Sequence, residues 1–247
     1  MALLSFFIAV ARLPTALGNL VGIFRKPYAR FEYGQRFQDA MAGRSFANMI
    51  AAFENHADGR ALLEALPDTQ SLLDDRADLG RRPVGSFGRS YLDFLVTHAF
   101  DDTTYIEIAK RTGVGLNTDP QRMWLRIRSA AHDVRHVLTG YGADPLGEAC
   151  LLAFRVGQLR HPGAAVLATI TSIGCVFTYG PVATLRSVLE AYRRGCSALL
   201  VDLCPFEFNL SEPLESCRAK LGLTPPTAYQ AALDRRSRIR QPAKGPA

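Results

Sequence analysis

The chain has 247 residues, 48% of them hydrophobic, which is enough to bury a sizeable core as one domain and too few for more than two small ones. A formal charge of +6 and a pI near 9.2 admit an anionic partner, whether acidic lipid, nucleic acid or a carboxylate substrate, without choosing among them. Five cysteines, Cys150, Cys175, Cys196, Cys204 and Cys217, are odd in number and form no CxxC pair, which argues against a disulfide framework and predicts reduced, buried thiols in an intracellular protein.

The opening stretch "MALLSFFIAVARLPTALGNLVGIF" is apolar, yet no basic residue precedes it as in a signal peptide, and Arg12 and Pro14 divide it into pieces too short to span a bilayer. With the basic "RKPYAR" behind it, residues 1–30 are expected to form a membrane-interfacial segment or a plain packing helix. "SFANMIAAFENHADGRALLEALPD" carries helical apolar spacing from Ser45 to its stop at Pro67. "DLGRRPVGSFGRS" reads as a loop, and "SYLDFLVTHAFDDTTYIEIAKRTG" as a helix ended by Gly113. "DPQRMWLRIRSAAHDVRHVL" predicts one helix from the N-cap Asp119, with Pro120 at its first position and a stripe of Trp124, Ile127, Ala131, Val134 and Leu138. Gly140 and Gly142 end it, and Asp144-Pro145 start the next helix, "PLGEACLLAFRVGQL". Residues 162–185 carry no charge and suit a buried helix or pocket wall first, membrane contact second and a span third. "SALLVDLCPF" is the one candidate strand, and residues 234–247 are expected to be a basic disordered tail. The expectation is therefore all-α: a multi-helix single domain over 1–233 with a helical hairpin at its centre.

That hairpin carries the chemistry. His132 and His136 are one helical turn apart and off the apolar stripe, with Asp133 beside the first. A short turn brings Glu148, one turn into the following helix, to similar height. Two imidazoles with one or two carboxylates are the donor set of a catalytic divalent metal, zinc by default, with iron, manganese or cobalt also suited. Asp133 could ligate, orient a histidine or act as a base. A surface cluster of the same residues is the competing reading.

"HDVRHVLTGYGADPLGE" resembles the HDxxH, eleven residues, E signature of the ubiquinone biosynthesis family whose eukaryotic member is coenzyme Q biosynthesis protein 4. Similarity extends over "RTGVGLNTDPQRMWLRIRSAAHD", "GEACLLAFRVGQLRHPGAAVLAT" and "AYRRGCSALLVDLCPFEFNLSEPLESCRAKLGLTPP", roughly the last two-thirds of the chain. The resemblance implies an all-helical, membrane-associated protein with a divalent metal, usually taken as zinc (Zn2+), on His132, Asp133, His136 and Glu148. It implies decarboxylation of a polyprenylated 4-hydroxybenzoate-type ring, with or without hydroxylation of the same carbon, and association with other ubiquinone biosynthesis enzymes. Asp133 and Glu148 are then the expected proton-moving catalytic residues, and Arg128 or Arg135 a holder for the substrate anion. The alternative is a non-catalytic prenyl-lipid scaffold, and assembly as a homo-oligomer is left open. Nucleic acid is not an expected partner, because the basic residues are scattered and match no recognised module. Without an Arg-rich, Ser-rich presequence, the expected location is the cytoplasmic face of a bacterial inner membrane, the matrix face of the mitochondrial inner membrane being the alternative.

Overall fold

Periodic apolar stretches separated by Gly, Pro and Asp signals give an all-α domain, and the computed structural model, which describes residues 2–25, 30–98 and 119–240, has no strand among them. Helix α1 (Ala2–Arg25) packs against α2 (Arg30–Ala40). The expected division at Arg12 and Pro14 is absent, since α1 runs through Pro14. A proline removes one backbone hydrogen bond, and the Ala- and Leu-rich flanks carry the helix past it.

The helix expected over 45–67 is two, α3 (Ser45–Asn55) and α4 (Ala57–Ala65), with His56 extended between them at φ −113° and ψ 142°. Gly59 allows that corner: a Cβ there would lie 2.4 Å from the Phe53 carbonyl oxygen. Two short helices, α5 (Thr69–Asp74) and α6 (Arg76–Arg81), follow, capped by the Asp68 and Asp75 side chains. The second takes up the start of the expected loop. Helix α7 (Phe87–His98) covers the front of the next expected helix, whose remainder to Gly113 falls outside the described residues.

Where one helix was expected from Asp119, there are two: α8 (Pro120–Arg128) and α9 (His132–Thr139). The N-cap is as expected, with Asp119 accepting from the amides of Gln121 and Arg122. The break at 129–131 is held by side chains, because the Ser129 carbonyl accepts from Arg135 (2.6 Å) and the Ser129 hydroxyl donates to the Arg126 carbonyl (2.8 Å).

Helix α10 (Pro145–Leu159) is the centre of the core and packs on α11 (Pro162–Tyr179) and α12 (Pro181–Ser197). It approaches α12 at backbone distance: a Cβ on Gly195 would lie 2.1 Å from the Phe154 carbonyl, and one on Gly157 2.4 Å from that of Tyr192. The expected strand in 197–206 is instead a pair of single 3-10 turns, Val201–Leu203 and Phe206–Phe208. Its carbonyls are taken by a side chain rather than by a ladder, Arg128 donating to those of Asp202 and Cys204. Helices α13 (Leu214–Lys220) and α14 (Thr227–Arg240) close the domain. The last one extends into the expected disordered tail, since good helix formers continue unbroken through Arg240; residues 241–247 lie outside the description.

The uncharged stretch forms α11 and the first turn of α12. With a mean hydropathy of 1.4, α11 is the one described helix long and apolar enough to cross a membrane, though Ala164, Ala168 and Cys175 on it are buried in the core. Ile173 and Phe177 point outward and are largely exposed. Four cysteines are buried and free as expected; Cys196 is exposed.

Candidate metal centre

Helix α9 carries His132 and His136 one turn apart, and its C-terminus is fastened by contacts from other helices. Gly140 takes the left-handed conformation at φ 78°, and its amide donates to the His136 carbonyl (2.9 Å). The next three carbonyls receive arginines from other helices: Arg218 donates to Val137 (2.8 Å) and Leu138 (3.0 Å), and Arg194 to Thr139 (3.0 Å). Guanidinium groups at the negative end of a helix satisfy both its dipole and its open acceptors.

The turn to α10 is fixed as firmly. Asp144 caps α10 by accepting from the amides of Leu146 and Gly147, and also accepts the hydroxyls of Tyr179 (2.9 Å) and Tyr229. Tyr229 in turn accepts from the Gly142 amide (2.9 Å), so α14 ties down the tip of the hairpin. Glycine is obligatory at 147, where a Cβ would lie 2.0 Å from the Gly142 carbonyl oxygen. Held this way, the Tyr141 carbonyl lies 3.0 Å from Nδ1 of His136. That nitrogen must carry the proton, which directs Nε2 of the buried His136 at the opposite side.

The four residues named from the sequence converge there. One donor atom each from His132, Asp133 and His136 lie within 4.8 Å of one another. Glu148 reaches across from α10, with Oε1 3.3 Å from Nε2 of His136 and Oε2 3.6 Å from Nε2 of His132. Oδ1 of Asp133 is 3.7 Å from Nδ1 of His132. Ligands at ~2.0–2.2 Å around one tetrahedral ion stand about 3.3–3.6 Å apart, which the contacts of Glu148 to Nε2 of both histidines match, whereas Asp133 faces the other nitrogen of His132. Two further observations agree. Oδ1 of Asp133 is buried with no hydrogen bond, and Nε2 of His136 meets Glu148 without hydrogen-bond alignment.

The charges are coupled. Burial lowers the pKa of His132 despite the attraction of Glu148. Burial would lower that of His136 too, but its contact with Glu148 outweighs burial and raises it. Glu148 would be raised by burial and is instead held low by the two imidazoles. The Phe94 ring stacks on His136 at 5.3 Å and covers its other face.

His132 and Glu148 open into a cavity of about 410 Å³ between α1, α2, α10 and α11. Ile23, Pro145, Leu152 and Leu167 give it apolar walls, and Gln35, Gln38, Arg135 and Arg155 a polar end. The two arginines suggested by the sequence as anion holders are already committed. Arg128 is buried against Glu207 (3.0 Å to Oε2), and Arg135 against Asp202 (2.7 Å). Sequence reasoning missed the tyrosine clamp on Asp144, the contribution of α1 and α2 to the cavity, and Arg155.

A family model described as coenzyme Q (ubiquinone) biosynthesis protein Coq4 matches residues 8–227. The mitochondrial ubiquinone biosynthesis protein COQ4 homolog of Bos taurus is 26% identical over 179 residues, covering 68% of this chain and 62% of its own length. The corresponding protein of Nematostella vectensis is 25% identical over 170 residues, covering 68% and 79%. The chain thus spans less than two thirds of the bovine relative. Among solved structures, a candidate ubiquinone biosynthesis protein from Nostoc punctiforme superposes with a TM-score of 0.61 over 83% of this chain and 95% of that one; at 17% identity, this shows a common fold.

Proposed function

The chain belongs to the Coq4 family of coenzyme Q (ubiquinone) biosynthesis proteins, and from that premise we propose that its hairpin is the metal centre of a decarboxylase acting on a polyprenylated 4-hydroxybenzoate-type acid. The observation that carries the metal is His136: Nδ1 is fixed by the Tyr141 carbonyl, and Nε2 is buried and turned toward Glu148 and His132. His132, Asp133, His136 and Glu148 would hold the ion, zinc first. When bound, it would supply Lewis-acid stabilisation of negative charge on a ring oxygen.

The rest is done by the chain. The apolar walls from α1 and α11 take the prenyl tail and keep water from the ring, while His132 and Glu148 at the cavity end fix where the ring oxygen sits. As the carboxylate leaves as carbon dioxide, the bonding pair stays on the ring carbon and takes up a proton that comes from water, relayed by whichever of Asp133 and Glu148 is not fully engaged as a ligand. One carbon–carbon bond breaks, one carbon–hydrogen bond forms, and no oxidant is used. Hydroxylation at the same carbon would additionally require dioxygen and a redox partner, since zinc exchanges no electrons.

A membrane surface is the natural source of such a substrate. The helices that line the cavity from inside expose Leu17, Val21, Phe24, Ile173 and Phe177 on the outside. Docking there would let a prenyl tail pass between bilayer and cavity. Several relatives are named as mitochondrial proteins, which favours the mitochondrial inner membrane over the bacterial expectation. Other ubiquinone biosynthesis enzymes are proposed partners at the remaining surface.

Elemental analysis of the purified chain is expected to find about one divalent ion per molecule, lost in His136→Ala. The loaded protein is expected to release carbon dioxide from carboxyl-labelled 3-geranyl-4-hydroxybenzoate. Absence of metal from both proteins would overturn the metal centre. Metal without carbon dioxide release would leave the prenyl-lipid scaffold.

A further inference from the structure

Around the cavity, the arginines of α8 and α9 pair with carboxylates, and Arg155 on α10 is the exception among the described residues. Arg126 pairs with Asp39, Arg128 with Glu207 and Arg135 with Asp202. Arg155 has none among the described residues: its Nη1 donates to Gln38 Oε1 (3.0 Å), and its Nε is buried with no hydrogen bond. Asp202 attracts Arg155 from beyond contact distance, and a partly buried guanidinium with no carboxylate in contact is costly unless something of opposite charge completes it. Its surroundings add to that cost. Burial, and then the neighbouring Arg135, push its pKa down to about 9, and the same positive field helps burial hold His161 down to about 3.

The location is informative. Arg155 lies seven residues beyond Glu148 on α10, so it is on the same face and about 10.5 Å further along the axis. Both line the cavity of about 410 Å³. With Nη1 given to Gln38 and Nε buried without a partner, a carboxylate that reached Nε together with Nη2 would form the bidentate pair a guanidinium favours.

We propose that Arg155 is the carboxylate-recognition residue of this cavity, holding the acid group of an amphipathic aromatic acid while its phenol oxygen faces His132 and Glu148. This rests on the substrate class proposed above and adds to it the orientation of the ring: a phenol oxygen and a carboxylate para to it, together with an extended arginine side chain, span the rise between Glu148 and Arg155. It also gives a release step. The product has lost the carboxylate, and with it the contact that distinguished substrate from other prenyl phenols.

The test is calorimetric titration of the metal-loaded full chain with 3-geranyl-4-hydroxybenzoate and its methyl ester, and separately with dodecanoate and dodecanol. Wild type is expected to prefer the aromatic acid over the ester by roughly tenfold or more, the scale of a charge-assisted hydrogen bond. Arg155→Gln should abolish the preference with metal content unchanged. Arg155→Lys, which keeps the charge and loses the bidentate edge, should reduce it severalfold and provides the comparison should the glutamine variant not fold. An acid preference left undiminished in either folded variant, or one that vanishes only in His136→Ala, would place the carboxylate on the metal and overturn the proposal. If dodecanoate shows the Arg155-dependent preference and the aromatic acid does not, the subsite stands and the aromatic substrate falls. No acid preference in either pair overturns the subsite and leaves the substrate class to the carbon dioxide assay.

Discussion

At the scale of single residues, the protein is organised around arginines that reach the backbone or a carboxylate of a distant segment. Asp202 is the most exacting of these partners, because it neutralises Arg135 at 2.7 Å and stands near Arg128 and Arg155. Burial would raise its pKa, but the attraction of Arg135 and the other guanidinium groups holds it below the ordinary carboxylate value. A carboxyl group depressed on folding contributes stability that is complete above its unfolded pKa of about 3.9 and is lost as pH falls through the folded value. Asp202→Asn should therefore cost about 3 kcal/mol in urea unfolding at pH 7 by leaving Arg135 buried and unpaired, and the gap to wild type should close as the pH is lowered below about 4. A gap that stays constant between pH 7 and pH 3 would show that the carboxylate charge is not what matters. The four residues of the metal centre were legible in the sequence because i, i+4 spacing is a local property of a helix. Arg155 was not legible. Its setting depends on Gln38, Arg135 and Asp202, all remote in sequence, and on the lack of a carboxylate in contact with it among the described residues.

At the scale of elements, local signals and distant contacts divide the outcome cleanly. Asp119-Pro120, Asp144-Pro145 and Gly140 each act within four residues of themselves, and each starts or ends a helix where the sequence said. The break at 129–131 and the 3-10 turns at 201–208 depend on arginine side chains meeting carbonyls far along the chain, which no periodicity records. The hairpin between α9 and α10 tests how much the element matters to the site. Gly147→Ala would force its Cβ onto the Gly142 carbonyl and move the turn that carries the Tyr141 carbonyl. It is expected to cost about 2–3 kcal/mol by overpacking and to weaken zinc binding by roughly tenfold or more through loss of the contact to His136. Gly174→Ala is the counterpart: at an exposed position of α11 with nothing within 4 Å of the added Cβ, it should stabilise by about 0.5–1 kcal/mol. Thermal unfolding and competition with a zinc chelator read both, and equal zinc affinity in Gly147→Ala would detach the turn from the metal.

At the scale of the whole molecule, α11 and α12 present apolar side chains that the core does not use. On α12 the inward face is Thr184, Ser187, Ala191 and Arg194, while Val182, Leu185, Leu189 and Tyr192 are exposed at spacings of three and four. Phe177 on α11, 87% exposed, stands beside them across the Gly180 corner, and the exposed Arg186 and Arg193 flank the stripe. Apolar side chains bordered by cations match the surface of an anionic bilayer, where each buried large side chain contributes about 1.5–3 kcal/mol and each arginine about 1 kcal/mol. Phe177→Glu with Leu185→Glu should then lower co-sedimentation with phosphatidylglycerol vesicles by at least roughly tenfold, leaving metal content unchanged. Arg186→Gln with Arg193→Gln should instead weaken only the preference for anionic over neutral vesicles, an effect that added salt reproduces in wild type. Full sedimentation of the double glutamate variant would move the membrane contact elsewhere. A wild-type dimer that becomes monomeric in the same variant would assign this face to a second copy of the chain, since a stripe at that spacing is also how paired helices meet.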